Sequence, residues 1–329
     1  MSSWQCSKII KTIFWSTILG CGIALGGFIL LSVRAGLGAG YVVDSMKMLG
    51  KTLLLRRFGP HTITTKKLVG TYLRLTTKAL FVHSDTLHKE RMFDYDVCFY
   101  DYANAKLLFL EIFGNEEYYF KAATDTPFII DCGANIGMAT LYFKMLYPHA
   151  EIIAFEPARL CFGVLQKNIT SNHLDKVTTI NKALSDHEGT VELFDASGGR
   201  GNLCATMLFD KKGPKNAYFA SVECATLSSY ITKPVDLLKI DIEGAERVVL
   251  DDLKKSKKLS LIKEIVLEYH HHFLGENSVD ALGAFLATLE QAHFGYQILG
   301  CSPQLGYQFD LLSSQMLMIH AYQKAPVDA

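Results

Sequence analysis

Residues 127–137 read PFIIDCGANIG, and residues 151–157 read EIIAFEP. Each is a short apolar run ending in an acid. Each is followed by a stretch with helical spacing, IGMATLYFKMLY at 136–147 and ARLCFGVLQKNITSN at 158–172. Near-continuous apolar strands that alternate with helices predict a parallel sheet covered on both faces. The alternation continues outward. KVTTINKAL (176–184), TVELF (190–194), FASVECATL (219–227), VDLLKIDIEG (235–244) and LIKEIVLEYHH (261–271) read as strands. AERVVLDDLKK (245–255) and SVDALGAFLATLEQA (278–292) read as helices, and GYQILG and LLSSQMLMIHAY as closing strands.

Ligands of such sheets bind at the carboxyl ends of the strands. Asp131, Glu156, Asp241, Glu243, Glu268 and His270 all fall at those ends. Gly133 allows a tight turn and Gly137 close packing of the following helix. Glu156, at the end of the next strand, can accept hydrogen bonds from two ribose hydroxyls. A dinucleotide would need GxGxxG and a phosphate-friendly helix N-terminus. Here the loop is GxxxG with Asp131 in front, which repels pyrophosphate and suits an ammonium. The charge argument therefore favours S-adenosylmethionine over NAD.

The order of motifs IIDCGANIG, FEP, NKALSDHEGTVELF, TLSSYI, LLKIDIEGAE and IVLEYH, within residues 127–272, resembles the FkbM-type methyltransferases. The resemblance implies a class I methyltransferase fold, a Rossmann-like seven-stranded sheet whose last strand is antiparallel. It implies S-adenosyl-L-methionine as cofactor and O-methylation of a hydroxyl, often on sugars or natural products. By the same resemblance Asp131, Gly133, Asn135 and Gly137 form the cofactor loop, and Glu156 is the ribose acid. Ala183 and Leu184 lie near the adenine, and Lys239, Asp241, Glu243 and Gly244 form the KIDIEG signature.

Transfer to a hydroxyl needs alignment of the acceptor and a place for its proton. Asp241, Glu243 and His270 are the catalytic candidates. Asp241 also counts as a cofactor contact. For the two acids three readings stand: a base with its orienting partner, a hard-cation site, and a charge favouring the next helix. Two carboxylates alone do not define a metal site, and none is assigned. His270 is read either as a base or as a surface histidine at a strand exit. The histidine run at 270–272 is not read as a metal site. The loop Ser197–Asn202 is read as a surface turn or as a flap bringing Arg200 to an acceptor. Asn168-Ile169-Thr170 matches a glycosylation sequon, but lies within a predicted helix.

The rest of the chain sets the context. With 329 residues, 49% hydrophobic and equal numbers of acidic and basic groups, it has material for a large core. That balance argues against a nucleic-acid partner. Residues 1–80 nevertheless carry eleven Lys/Arg against the single acid Asp44. Residues 12–33 carry no charge, and twenty-two residues span about 33 Å as a helix, enough to cross a bilayer. A signal peptide would have a shorter apolar core. The flanking charge predicts a single-pass anchor with a cytoplasmic body. The basic run after it either rests on anionic headgroups or is a solvated linker. None of the eight cysteines forms a CxxC pair, so a zinc ribbon has no support and reduced thiols are expected.

The expected organisation is a tail at 1–11, an anchor at 12–33 and a basic linker at 34–60. A lead-in or cap follows at 61–125, then the methyltransferase domain at 126–329. Within the lead-in, LVGTYLRL (68–75) and KALFVHS (78–84) are predicted as a strand pair and AKLLFLEIF (105–113) as a buried amphipathic segment. The acceptor is expected to be a small molecule or glycan near the membrane. A non-catalytic nucleoside- or lipid-binding module and an NAD-linked oxidoreductase are the alternatives.

Overall fold

The computed structural model describes residues 47–50, 52–53, 63–82, 86–195, 205–206, 218–270, 278–301 and 316–324. The expected anchor at 12–33, the tail before it, most of the linker, the loop at 197–202, and His271 and His272 lie outside these residues. Among the described residues no helix is long and apolar enough to cross a membrane.

The chain divides into two compact units. The first comprises residues up to 86, together with 91–94 and 101–117. The stretch predicted as a strand pair is instead one helix, α1 (Thr65–Phe81). The reason is periodicity. Leu68, Val69, Tyr72, Leu73, Leu75 and Thr76 are buried while Lys66, Lys67, Gly70 and Arg74 are exposed. That spacing closes every three to four residues and not every two. Helix α2 (Tyr102–Phe109) starts where the Asp101 carboxylate accepts the Asn104 N–H at 2.7 Å. It runs on as a π-helical turn, Leu110–Gly114. Phe93, Phe109 and Phe113 cluster with ring centroids 5.5–5.7 Å apart.

The second unit comprises residues 87–90, 95–100 and 118 onward. A two-stranded sheet pairs β1 (His88–Met92) with β2 (Tyr95–Phe99). The main sheet has seven strands: β3 (Phe128–Cys132), β4 (Glu151–Phe155), β5 (Val177–Ile180), β10 (Val235–Ile240), β11 (Ile262–Tyr269), β12 (Phe294–Cys301) and β13 (Met316–Gln323). Their spatial order is β12-β13-β11-β10-β3-β4-β5. The strands from β11 to β5 are parallel, and β13 runs antiparallel between β11 and β12. This is the class I methyltransferase arrangement that the motif order implies.

The connecting helices are α3 (Met138–Leu146), α4 (Arg159–Ser171), α5 (Glu246–Lys255) and α6 (Ser278–Gln291). A separate four-stranded sheet forms from β6 (Ala183–Ser185), β7 (Gly189–Asp195), β8 (Ala205–Thr206) and β9 (Tyr218–Thr226) in the order β6-β9-β7-β8. The central strands are buried on both faces, as β10 shows: Val235, Leu237, Leu238, Lys239 and Ile240 are all buried.

The sheet-bearing unit reaches back beyond the expected boundary at 126. Asn168 explains part of this. It is fully buried, its Oδ1 accepts the Cys98 N–H at 2.7 Å, and its Nδ2 donates to Cys98 O and Ile136 O. Asn172 clamps Asp96 in the same two-way manner, at 2.8 Å each way. Two amides one helical turn apart therefore pair with β2 as a neighbouring strand would. The sequon asparagine is a structural clamp with no room for a glycan. Cys98, Cys132, Cys161 and Cys224 are buried thiols.

Replacing Asn168 with Leu strips partners from three buried backbone groups, and each such loss costs about 1–3 kcal/mol. Because the losses share one site, the expected destabilisation is about 2–5 kcal/mol, read as a lowered midpoint in urea unfolding.

Candidate active site

The parallel register places Lys239 of β10 directly beside Asp131 of β3. Both are essentially unexposed, at 2% and 0%. Lys239 Nζ lies 3.3 Å from Asp131 Oδ1 and 3.4 Å from Asp241 Oδ2. It donates to Gly133 O at 2.7 Å and reaches Cys132 O at 3.4 Å. Burial by itself would lower the Lys239 pKa. Asp131 first, then Asp241 and Glu268, outweigh that and hold the ammonium firmly charged. Asp131 Oδ2 accepts the Thr140 hydroxyl at 2.8 Å. Asp131 was expected to face a cofactor ammonium. It is instead sealed under the loop, because its register partner is a lysine.

The loop after β3 is pressed against the loop after β10. Gly133 has φ +82°, and a Cβ there would fall 1.7 Å from Asp241 O. Gly137, at φ +89°, abuts Leu165 of α4, where a Cβ would meet Cδ1 at 2.7 Å. The loop N–H groups are all committed. Gly133 and Ala134 N–H both donate to Phe155 O. Asn135, at φ +51°, donates its N–H to Glu156 Oε2 at 2.8 Å. Ile136 N–H goes to Asn135 Oδ1 and Gly137 N–H to Ala134 O. No donor of this turn is left pointing outward for a phosphate, so the loop is not an anion cradle.

Glu156 ends β4 beside that loop. Its other oxygen accepts the Ala158 N–H at 2.8 Å. Asn181 Nδ2 donates to the backbone carbonyls of Glu156 and Pro157 and holds the strand end in place. Burial pushes the Glu156 carboxyl up to about 7, against the two backbone N–H groups that pull it down. A buried carboxylate held rigid by backbone donors has acceptor capacity left for hydroxyl donors.

Ala183 and Leu184, expected near the adenine, lie in β6 at 2% and 3% exposure. Leu184 is part of the main apolar core.

Around β10 and β11 a second group gathers. β10 ends at Ile240, so Asp241 and Glu243 lie in a turn and strand alternation does not apply to them. Glu243 has φ +51° and Gly244 φ +103°. The Tyr118 O–H donates to Glu268 Oε1 at 2.6 Å and approaches Asp241 Oδ2 at 3.2 Å. His270 was expected either at the surface or as a base. It is 1% exposed. Its Nδ1 bonds Glu246 Oε1 at 2.8 Å, and its Nε2 lies 3.4 Å from Glu243 Oε2 and 3.9 Å from Glu268 Oε2. Burial opposes its charge. The hydrogen bond to Glu246, with Glu246, Glu243 and Asp241 as neighbours, overrides burial and pushes His270 up to about 10. The surrounding carboxylates therefore favour the protonated imidazole.

Two residues of this site, Glu246 and Tyr118, were missed from the sequence. Glu246 is the first residue of α5 in the same IEGAE run, a position that could have been read as a helix-start acid facing β11. Lys239 had a signal, since it stands in the KIDIEG signature named from the sequence. Tyr118 has none, because only folding brings it to β10 and β11.

Residues 131–309 match the model of the methyltransferase FkbM domain. The chain is 34% identical over 193 residues to methyltransferase sdnD of Sordaria araneosa, covering 50% of this chain and 74% of that protein. It is 27% identical over 168 residues to 2-O-methyltransferase NoeI of Sinorhizobium fredii, covering 46% of this chain and 67% of that protein. The crystal structure of a methyltransferase FkbM from Methylobacillus flagellatus matches with TM-score 0.42 and 15% identity, over 86% of this chain and 60% of that one.

Removing Lys239 leaves Asp131 buried without its cation. Lys239→Met is expected to destabilise the fold by about 3–5 kcal/mol. The double variant Lys239→Met/Asp131→Leu should recover much of that loss. Urea unfolding of the two variants tests this, and equal losses in both would refute a dominant charge pair.

Proposed function

The chain belongs to the FkbM methyltransferase family, and on that premise we propose that it is an S-adenosylmethionine-dependent O-methyltransferase. The carrying observation is the pairing of Glu156 with a loop whose N–H groups are all internally bonded. That combination suits a ribose without phosphate. It disfavours a dinucleotide, and the partly exposed carboxylate of Asp241 disfavours it further.

S-adenosylmethionine supplies a methyl group on a positively charged sulfur, which leaves as a neutral thioether when an oxygen attacks the methyl carbon. Glu156 binds the ribose hydroxyls. Asp241, the most exposed of the central acids at 24%, faces the methionyl ammonium or the acceptor. Tyr118 bridges Asp241 and Glu268, so the two carboxylates act as a pair. As the new O–C bond forms and the S–C bond breaks, this pair takes the hydroxyl proton. Glu246 fixes His270, and His270 in turn places Glu243. Lys239 holds the two loops in contact.

The name of the NoeI relative supports a hydroxyl as acceptor. The uncharged run at 12–33 supports a membrane anchor that holds the catalytic unit, on the cytoplasmic side, near a glycan precursor or other membrane-associated acceptor.

Calorimetric titration of S-adenosylmethionine into the full chain tests the cofactor. Micromolar binding is expected. Glu156→Ala should weaken it by about tenfold to several hundredfold, the loss of charge-assisted hydrogen bonds. A folded wild-type chain that binds no S-adenosylmethionine would overturn the reading. The Glu156 carboxyl, at about 7, predicts a pH effect. Hydroxyl donors favour the ionised form, so affinity should fall below pH 7, by up to about tenfold per pH unit. Glu156→Gln should bind more weakly and show no such slope.

A further inference from the structure

We propose that Asp241, Glu243 and His270 form a binding site for one divalent cation of the Mn2+ type. The three residues come from the turn after β10 and from the end of β11. One donor atom from each lies within 4.8 Å of the others. A cation at about 2.1–2.4 Å from each donor needs that spacing or slightly less. The set joins two hard carboxylates to one imidazole, a mixture that suits Mn2+ or a similar hard-to-borderline ion.

The surroundings of His270 point the same way. Ligating histidines usually give their other ring N–H to a carboxylate, which sets the tautomer and the ring plane. Here Nδ1 is bonded to Glu246, which is itself held by the Gly244 N–H at 2.9 Å. Nε2 is thereby aimed at Glu243 and Glu268. The histidine is fully buried, so this orientation is enforced by the fold and not by chance at a surface. Glu268 stands by as a further oxygen donor, with Tyr118 holding its other oxygen.

The local charge adds a third argument. Asp131, Asp241, Glu243, Glu246 and Glu268 each lie 2.8–3.9 Å from Lys239 or His270. A dication adds to these cations among the five acids. Its catalytic use rests on the methyl-transfer reading above: a hydroxyl bound to the ion loses its proton more readily. Asp241 is then a ligand, and Glu268 is left to receive that proton.

Titration of MnCl2 into the full chain, followed by electron paramagnetic resonance, tests the site independently of turnover. One ion per chain should bind, with echo modulation from a coordinated imidazole nitrogen. His270→Gln should abolish that modulation, and Glu246→Gln should weaken binding by about tenfold to a hundredfold. Glu243→Gln, at a partly exposed position, should weaken it at least as much and keeps the test readable if the buried variants do not fold. Binding of S-adenosylmethionine is measured on the same samples. A wild-type chain that takes up S-adenosylmethionine but no Mn2+, or Mn2+ binding indifferent to Glu243→Gln with no imidazole signal, would overturn the site. Mn2+ binding at these residues without cofactor binding would leave the metal site standing and count against the cofactor reading alone.

Discussion

The arrangement hangs on one buried ion pair, Lys239 with Asp131, in register across β10 and β3. An ammonium at 2% exposure is tolerable only when its charge and its donors are satisfied. Asp131 and Asp241 supply charge, and the carbonyls of Gly133 and Cys132 take the remaining donors. Satisfying Lys239 therefore draws the loop after β3 onto the turn after β10. The same contact excludes every side chain at Gly133, whose missing Cβ is replaced by the Asp241 carbonyl. Loop shape, glycine requirement and the position of Asp241 are consequences of one electrostatic constraint.

A second consequence is how the site treats charge. The loop spends its N–H groups internally and presents a carboxylate, Glu156, on its open side. That is the reverse of a phosphate loop, in which backbone N–H groups converge on an anion. On the other side of Lys239 the acids accumulate around Tyr118 and His270. The site is thus built to receive hydroxyls and positive charge. This accords with the proposed sulfonium cofactor and with the proposed cation among Asp241, Glu243 and His270.

The apolar runs ending in acids were legible because a strand buried on both faces must be continuously apolar, and its first polar residue marks the end. β3 and β4 come closest to that rule, whereas β7, β9, β10 and β11 carry charged residues within their length. The region before 118 was less legible. LVGTYLRL and KALFVHS are rich in β-branched and aromatic residues, and local propensity favours strands. The burial pattern of α1 shows that helical packing overrode it. Asn168 was read as a sequon because a three-residue pattern carries no information on burial.

The sequence by itself determined the order of the strand-end acids, the glycines of the loop after β3 and the family, because each depends on residue type at a fixed local spacing. Tertiary structure decided which acids meet. Register put Lys239 beside Asp131 and so withdrew Asp131 from the surface. The close approach of β10 and β11 turned His270 inward onto Glu246 and brought Tyr118 across more than a hundred residues to Asp241 and Glu268. Burial and charge depend on such distant neighbours, and no local pattern encodes them.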